Sequence, residues 1–152
     1  MDTRQDAVAQ ELLEAFSQFR RLHWRESPIA GLTPGELRVL SCLRRAATPE
    51  NAGTKVSEIS TMLRVAPPTA TQQINELESQ GYVERAGDRK DRRAVRVSLT
   101  EKGEAAIEHA HEAFVTSFKG LVDYLGEEQS KQLADLLTRT FTYFSEVRET
   151  NS

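Results

Sequence analysis

The stretch GDRKDRRAVRVSLT, Gly87 to Thr100, puts seven charged side chains into its first ten residues, and five are cations: Arg89, Lys90, Arg92, Arg93 and Arg96. Guanidinium and ammonium groups at this density suit the binding of a polyanion through its phosphates. The pattern then switches to alternation, with Val95, Val97 and Leu99 on one side and Arg96 and Ser98 on the other, which reads as a strand. Asp91 and Arg93 stand two apart and could pair across the loop, fixing its shape and leaving Arg89 and Arg92 to reach outward.

Polar side chains of a different kind lie upstream, in PPTATQQINELES. If this segment is helical, Ala70, Ile74 and Leu77 form its inner face, and Pro68, Thr69, Thr71, Gln72, Asn75 and Glu76 lie opposite. Such groups can read base edges. Gln72 could bond an adenine bidentately, Thr69 or Thr71 could touch a thymine methyl or a phosphate, and Asn75 suits a phosphate. Ser57 is placed either to cap the preceding short helix or to hold a phosphate at its N-terminus. Arg64, at the end of that helix, could meet the nucleic-acid backbone.

These groups need elements to position them. A first helix is expected from Asp6 to about His23, where Val8, Leu12, Ala15, Phe16, Phe19 and Leu22 recur at three- and four-residue steps. Thr33, Pro34 and Glu36 then spell a capping box with proline in the first turn, opening a helix whose buried row is Leu37, Leu40 and Leu43. ATPENAGT is a polar loop. A short helix follows with Ile59, Met62 and Leu63 inward, then a tight turn, a second helix starting near Pro67 and Pro68, and a stop at Gly81.

That pair is a helix-turn-helix. YVERA and AVRVSLT form a hairpin behind it, with the cationic stretch as its loop. Thr100 caps a long helix carrying Ala106, Ala110, Ala113, Phe114, Phe118, Leu121 and Val122. A last helix, from about Glu127 to Val147, carries Leu133, Leu136, Leu137, Phe141, Phe144 and Val147.

The expected fold is therefore mainly α (α+β): a winged helix-turn-helix with long N- and C-terminal dimerisation helices. It divides into an N-terminal dimerisation helix over 1–30, a DNA-binding domain over 31–100 and C-terminal dimerisation helices over 101–152. Helix 67–80 would enter the major groove while tip 87–94 lies on the backbone and the minor groove.

The net charge of −3 conceals a local excess. From Tyr82 to Ser98 the charge is +3, so the remainder carries −6. Attraction to a polyanion is thus local. With a single cysteine the chain forms no internal disulfide and no CxxC metal site. The charged, amphipathic N-terminus has no signal-peptide core, and no apolar run approaches the ~20 residues that span a bilayer. The expectation is a cytoplasmic protein with no membrane partner. There is no Gly-rich phosphate loop and no nucleophile motif, so neither an enzyme nor a cofactor is expected.

The run VSEISTMLRVAPPTATQQINELESQGYVERAGDRKDRRAVRVSLTEKG resembles the core of the MarR family of bacterial transcriptional regulators. The resemblance rests on the Asp91-Arg92-Arg93 tip, on VSLTEKG from Val97 to Gly103 and on LESQGYVER before the wing. The flanking helices match in number and order. What it implies is a homodimer that binds a palindromic double-stranded DNA operator and releases it when a small molecule binds. The family often has an arginine where this chain has Gln72, which implies weaker phosphate anchoring from the recognition helix.

A dimer also follows from the helices themselves. Leu12, Phe16 and Phe19 on the first, with Leu133, Leu137, Phe141 and Phe144 on the last, exceed what a small winged core can cover. The family's effectors sit between the dimer helices and the winged domain, near the end of the first helix. His23, Trp24 and Arg25 lie there and could hold an aromatic carboxylate or phenol, or could simply plug a hinge.

Cys42 falls among leucines and reads as a core thiol, an oxidant sensor being the alternative. His109 and His111, with Glu108 and Glu112, do not share a helix face, so no metal site is expected. The rival function is a winged helix that binds protein instead of DNA, and the wing cations argue against it.

Overall fold

The structure is a computed structural model and describes residues 3–22, 29, 31–50 and 53–150. Its elements are α1 (Thr3–Arg21), α2 (Pro34–Ala46), β1 (Thr54–Lys55), α3 (Val56–Leu63), α4 (Pro67–Ser79), β2 (Val83–Gly87), β3 (Val95–Leu99), α5 (Glu101–Leu125) and α6 (Glu127–Thr150). This is the expected winged helix-turn-helix with long flanking helices. The chain falls into two compact units, Met1–Glu108 and His109–Ser152.

In the first unit, helices α2, α3 and α4 enclose a core on which a small antiparallel sheet closes. Leu40, Val39, Ile59, Ala70, Ile74, Leu77 and Val97 are fully buried. Each large aliphatic among them stabilises the fold by about 1.5–3 kcal/mol. The sheet order is β1-β3-β2. Val83 pairs with Leu99, Arg85 with Val97 and Gly87 with Val95 across the hairpin, while Thr54 pairs with Val97 on the other edge. The period of two buries Val97 but leaves Val95 exposed, because Val95 lies beyond the sheet's cover, next to the tip.

The start of α2 follows its sequence. Thr33 Oγ1 accepts the Glu36 N–H at 3.1 Å, and Glu36 Oε2 accepts the Thr33 N–H at 3.0 Å. The start of α3 departs from expectation. Ser57 is not its cap. Thr54 and Lys55 are taken up by pairing with β3, so the chain passes directly from strand to helix, and the Lys55 N–H donates to Glu58 Oε2 at 3.2 Å. Ser57 lies inside the first turn, where its carbonyl accepts the hydroxyls of Ser60 and Thr61, both at 2.9 Å. The inner face of α3 also shifts: Ile59 and Ser60 are buried, whereas Met62 is 49% exposed, its sulfur 3.8 Å from the Cys42 sulfur.

Arg64 takes the left-handed conformation (φ 54°) in the turn between α3 and α4. Pro67 and Pro68 then occupy the first turn of α4, where their missing N–H groups cost nothing. Gly81 (φ +80°) reverses the chain after α4, and the Tyr82 N–H closes back on the Leu77 carbonyl at 2.9 Å.

The first turn of α5 clamps this same corner. Thr100 Oγ1 accepts the Gly103 N–H at 3.1 Å, capping the helix as expected, and its hydroxyl donates to the Gly81 carbonyl at 2.5 Å. Lys102 Nζ donates to the Gln80 carbonyl at 2.6 Å and sits 4.4 Å over the Tyr82 ring. Gly103 is obligatory here, because a Cβ would run into the Tyr82 carbonyl oxygen. The segment LTEKG thus ties β3, α5 and the end of α4 together.

Helices α1 and α6 have no buried residue. Leu12, Phe16 and Phe19 on α1 are 57%, 48% and 54% exposed, and Leu137, Phe141 and Phe144 on α6 are 52%, 73% and 56% exposed. Leu133 is 38% exposed.

Candidate nucleic-acid interface

The hairpin loop is ordered by its aspartates. Asp88 Oδ1 accepts the Lys90 N–H and Asp91 Oδ1 accepts the Arg93 N–H, each at 3.0 Å. Both are turns in which an Asp side chain holds the backbone two residues on. The expected ion pair between the Asp91 and Arg93 side chains is therefore replaced by a bond to the Arg93 backbone. At spacing two the amide reaches the carboxylate first, and the guanidinium stays outside.

Asp88 has a second task. Its Oδ2 accepts from Arg96 Nε at 3.1 Å, and Arg96 Nη1 donates to the Gly53 carbonyl at 2.9 Å. The Lys90 amide, followed by the Arg96 guanidinium, holds the Asp88 carboxyl below its ordinary value. Arg96 is thus a structural brace from β3 to the approach of β1, unlike the other cations of the loop.

Arg89, Lys90, Arg92 and Arg93 remain. All four are exposed, and none has a carboxylate partner among the described residues. The wing therefore presents four free positive charges on a turn whose own acids are held by its backbone and by Arg96.

On α4, Pro68, Thr69, Thr71, Gln72, Asn75 and Glu76 are exposed, opposite the buried Ala70, Ile74 and Leu77. The helix contains no Lys or Arg. Its link to the wing is Arg85 of β2, whose Nη2 donates to Asn75 Oδ1 and whose Nη1 donates to Glu78 Oε1, each at 2.7 Å. Arg85 was not among the residues singled out from sequence. The signal was available: Val83 is buried, and a period of two puts Arg85 on the same side of β2, toward α4.

The remaining candidates separate. Ser57 lies exposed on α3 within the first turn, and Arg64 is exposed at the following turn. His23, Trp24 and Arg25 lie outside the described residues. Burial pushes the Cys42 thiol up, against a weaker opposing pull from Arg45, so the reactive thiolate is disfavoured. Glu108 is engaged by Arg44 at 2.6 Å.

With this geometry in place, comparison with known proteins becomes specific. A family model described as MarR family matches residues 30–94, which take in α2, the helix-turn-helix and most of the wing. The curated repressor MdtR of Bacillus subtilis, described as an HTH-type transcriptional repressor, is 29% identical over 109 residues, 72% of this chain. The apo structure of MarR from E. coli is 27% identical and superposes with a TM-score of 0.63 over 72% of this chain and 77% of that one. Over its helix-turn-helix and wing the chain is similar to the MarR family of winged-helix regulators. FabT of Streptococcus pneumoniae, solved in complex with DNA, shares the fold over 95% of this chain and 97% of its own, with a TM-score of 0.67 at 22% identity. The aligned segment takes in 67% of MdtR and 60% to 64% of further curated relatives.

Within the MarR family frame, the wing of this chain is its cationic part and α4 its neutral-to-acidic part. No described helix is long and apolar enough to cross a membrane.

Proposed function

We propose that this chain is a homodimeric, sequence-specific regulator of transcription that binds double-stranded DNA and represses by occupying a palindromic operator in the cytoplasm. Helix α4 enters the major groove, where Thr69, Thr71, Gln72 and Asn75 face base edges and phosphates. The wing lies over the adjacent backbone and minor groove. The observation that carries the reading is the set of exposed, unpaired cations Arg89, Lys90, Arg92 and Arg93 on a turn braced to the same domain as α4. Four cations on one turn repel each other. A polyanion removes that repulsion and releases its own counterions.

The name of MdtR supports repression. The exposed apolar faces of α1 and α6 support a second copy as partner, since patches of this kind exceed what soluble monomers leave open. A two-fold dimer would space its recognition helices by about 34 Å, one turn of B-DNA. Release by a small aromatic or phenolic effector is the family's expected mode of response.

The test is a mobility-shift titration against random duplex at two salt concentrations. Affinity must fall steeply with salt. Arg92→Ala is expected to weaken binding to all sequences alike and to flatten the log–log salt slope by about one unit per subunit bound. Unchanged affinity and slope would remove the wing from the interface. A protein indifferent to every duplex would instead be a protein-binding winged helix.

A further inference from the structure

We propose that Arg85 is a positioning residue for DNA recognition: it fixes the Asn75 amide as an outward-facing hydrogen-bond donor and neutralises Glu78 beside it. The proposal rests on the reading of α4 as the DNA-facing helix.

A guanidinium carries donors and no acceptor. The Asn75 atom 2.7 Å from Arg85 Nη2 is therefore its oxygen, and the NH2 end is turned the other way. An asparagine free to rotate offers a duplex either end of its amide, and the usual adenine contact needs both ends at once. Here the oxygen is engaged from behind. Asn75 is left as a donor, suited to an acceptor of the duplex: a phosphate oxygen, or a base-edge acceptor such as purine N7, guanine O6 or thymine O4.

The other arm of the same guanidinium meets a different need. Helix α4 has no cation of its own, and it exposes Glu76 and Glu78. A bare carboxylate near phosphates repels them. Arg85 Nη1 holds Glu78 Oε1 at 2.7 Å. The Arg85 side chain is 25% exposed, whereas the wing-tip arginines are exposed throughout, so its charge is directed at the helix. Lysine cannot substitute: a single ammonium lacks the planar fork that reaches two acceptors in fixed directions.

The probes are a duplex that the full-length protein selects from a randomised pool and a scrambled duplex of equal length. Arg85→Lys keeps the charge. It is expected to weaken binding to the selected duplex about tenfold while leaving the salt slope unchanged. Asn75→Ala, at an exposed position, is expected to give a loss of the same size. The double variant is expected to bind no worse than Asn75→Ala alone, because Arg85 acts through Asn75.

A loss confined to the selected duplex identifies a base-edge acceptor, and an equal loss on the scrambled duplex identifies a phosphate. Either result supports the assignment. Wild-type affinity in Arg85→Lys, or losses that multiply in the double variant, would overturn it. If the unaltered protein binds neither duplex, the DNA reading itself falls, a result distinct from multiplying losses.

Discussion

Replacing both Leu137 and Phe141 by glutamate is expected to split the protein into monomers and to reduce operator affinity by about 10²–10⁴. The two side chains stand four residues apart on α6, on one face, and are 52% and 73% exposed in the single chain. No residue of that helix is buried in the single chain, so the charges should spare the core. They would oppose a second copy strongly, because each would face an apolar surface or its own symmetry mate without a partner. The loss at DNA follows from geometry and not from any contact made by α6. A dimer holds the second half-site at millimolar effective concentration once the first is bound, and a monomer gives up that advantage. Light scattering reads the mass, and titration of a full and a half operator reads the affinity. Half-site binding should survive. A double variant that remains dimeric with full operator affinity would move the interface off α6.

Gly103→Ala is expected to destabilise the protein by about 2 kcal/mol, lowering its thermal midpoint by roughly 4–8 °C. Two effects compete. Alanine inside a helix is favoured over glycine by up to about 1 kcal/mol. Against this, the added methyl would meet the Tyr82 carbonyl oxygen, and backbone cannot swing aside as a side-chain tip can. The same carbonyl accepts the Thr100 N–H at 3.1 Å, so displacing it loosens the clamp at both ends. Steric overlap wins over propensity. Circular dichroism during heating gives the midpoint, and a rise instead of a fall would show that α5 can shift without strain.

How much of this was legible in the sequence depended on whether the signal was local. Thr33, Pro34 and Glu36 specify the start of α2 within four residues, and the structure closes the same two hydrogen bonds. Ala70, Ile74 and Leu77 are all fully buried, as their spacing required. The tip was visible as composition. What failed needed a distant partner.

Strand β1 is two residues long and exists only because β3 pairs with it, so Thr54 lost its place in a polar loop and Ser57 its place as a cap. Met62 fits the helical period, but α3 spans only Val56–Leu63, and its neighbours do not reach that far around. The Asp91–Arg93 pairing was sought between side chains, although a short acid two residues before an N–H bonds the backbone. Arg85 counts toward the wing's charge, and although a period of two puts it on the Val83 side of β2, that spacing alone does not name its partner, Asn75, ten residues earlier in the chain.

The absence of lysine and arginine from α4 separates two properties that many duplex-binding proteins keep together. On the proposed reading, grip would reside in the hairpin, which is blind to sequence and yields to ionic strength, and discrimination in neutral hydroxyls and amides, whose energies electrolytes barely touch. When the cell's potassium climbs, occupancy everywhere on the chromosome should decline in step, while the preference for the right site over wrong ones stays nearly constant.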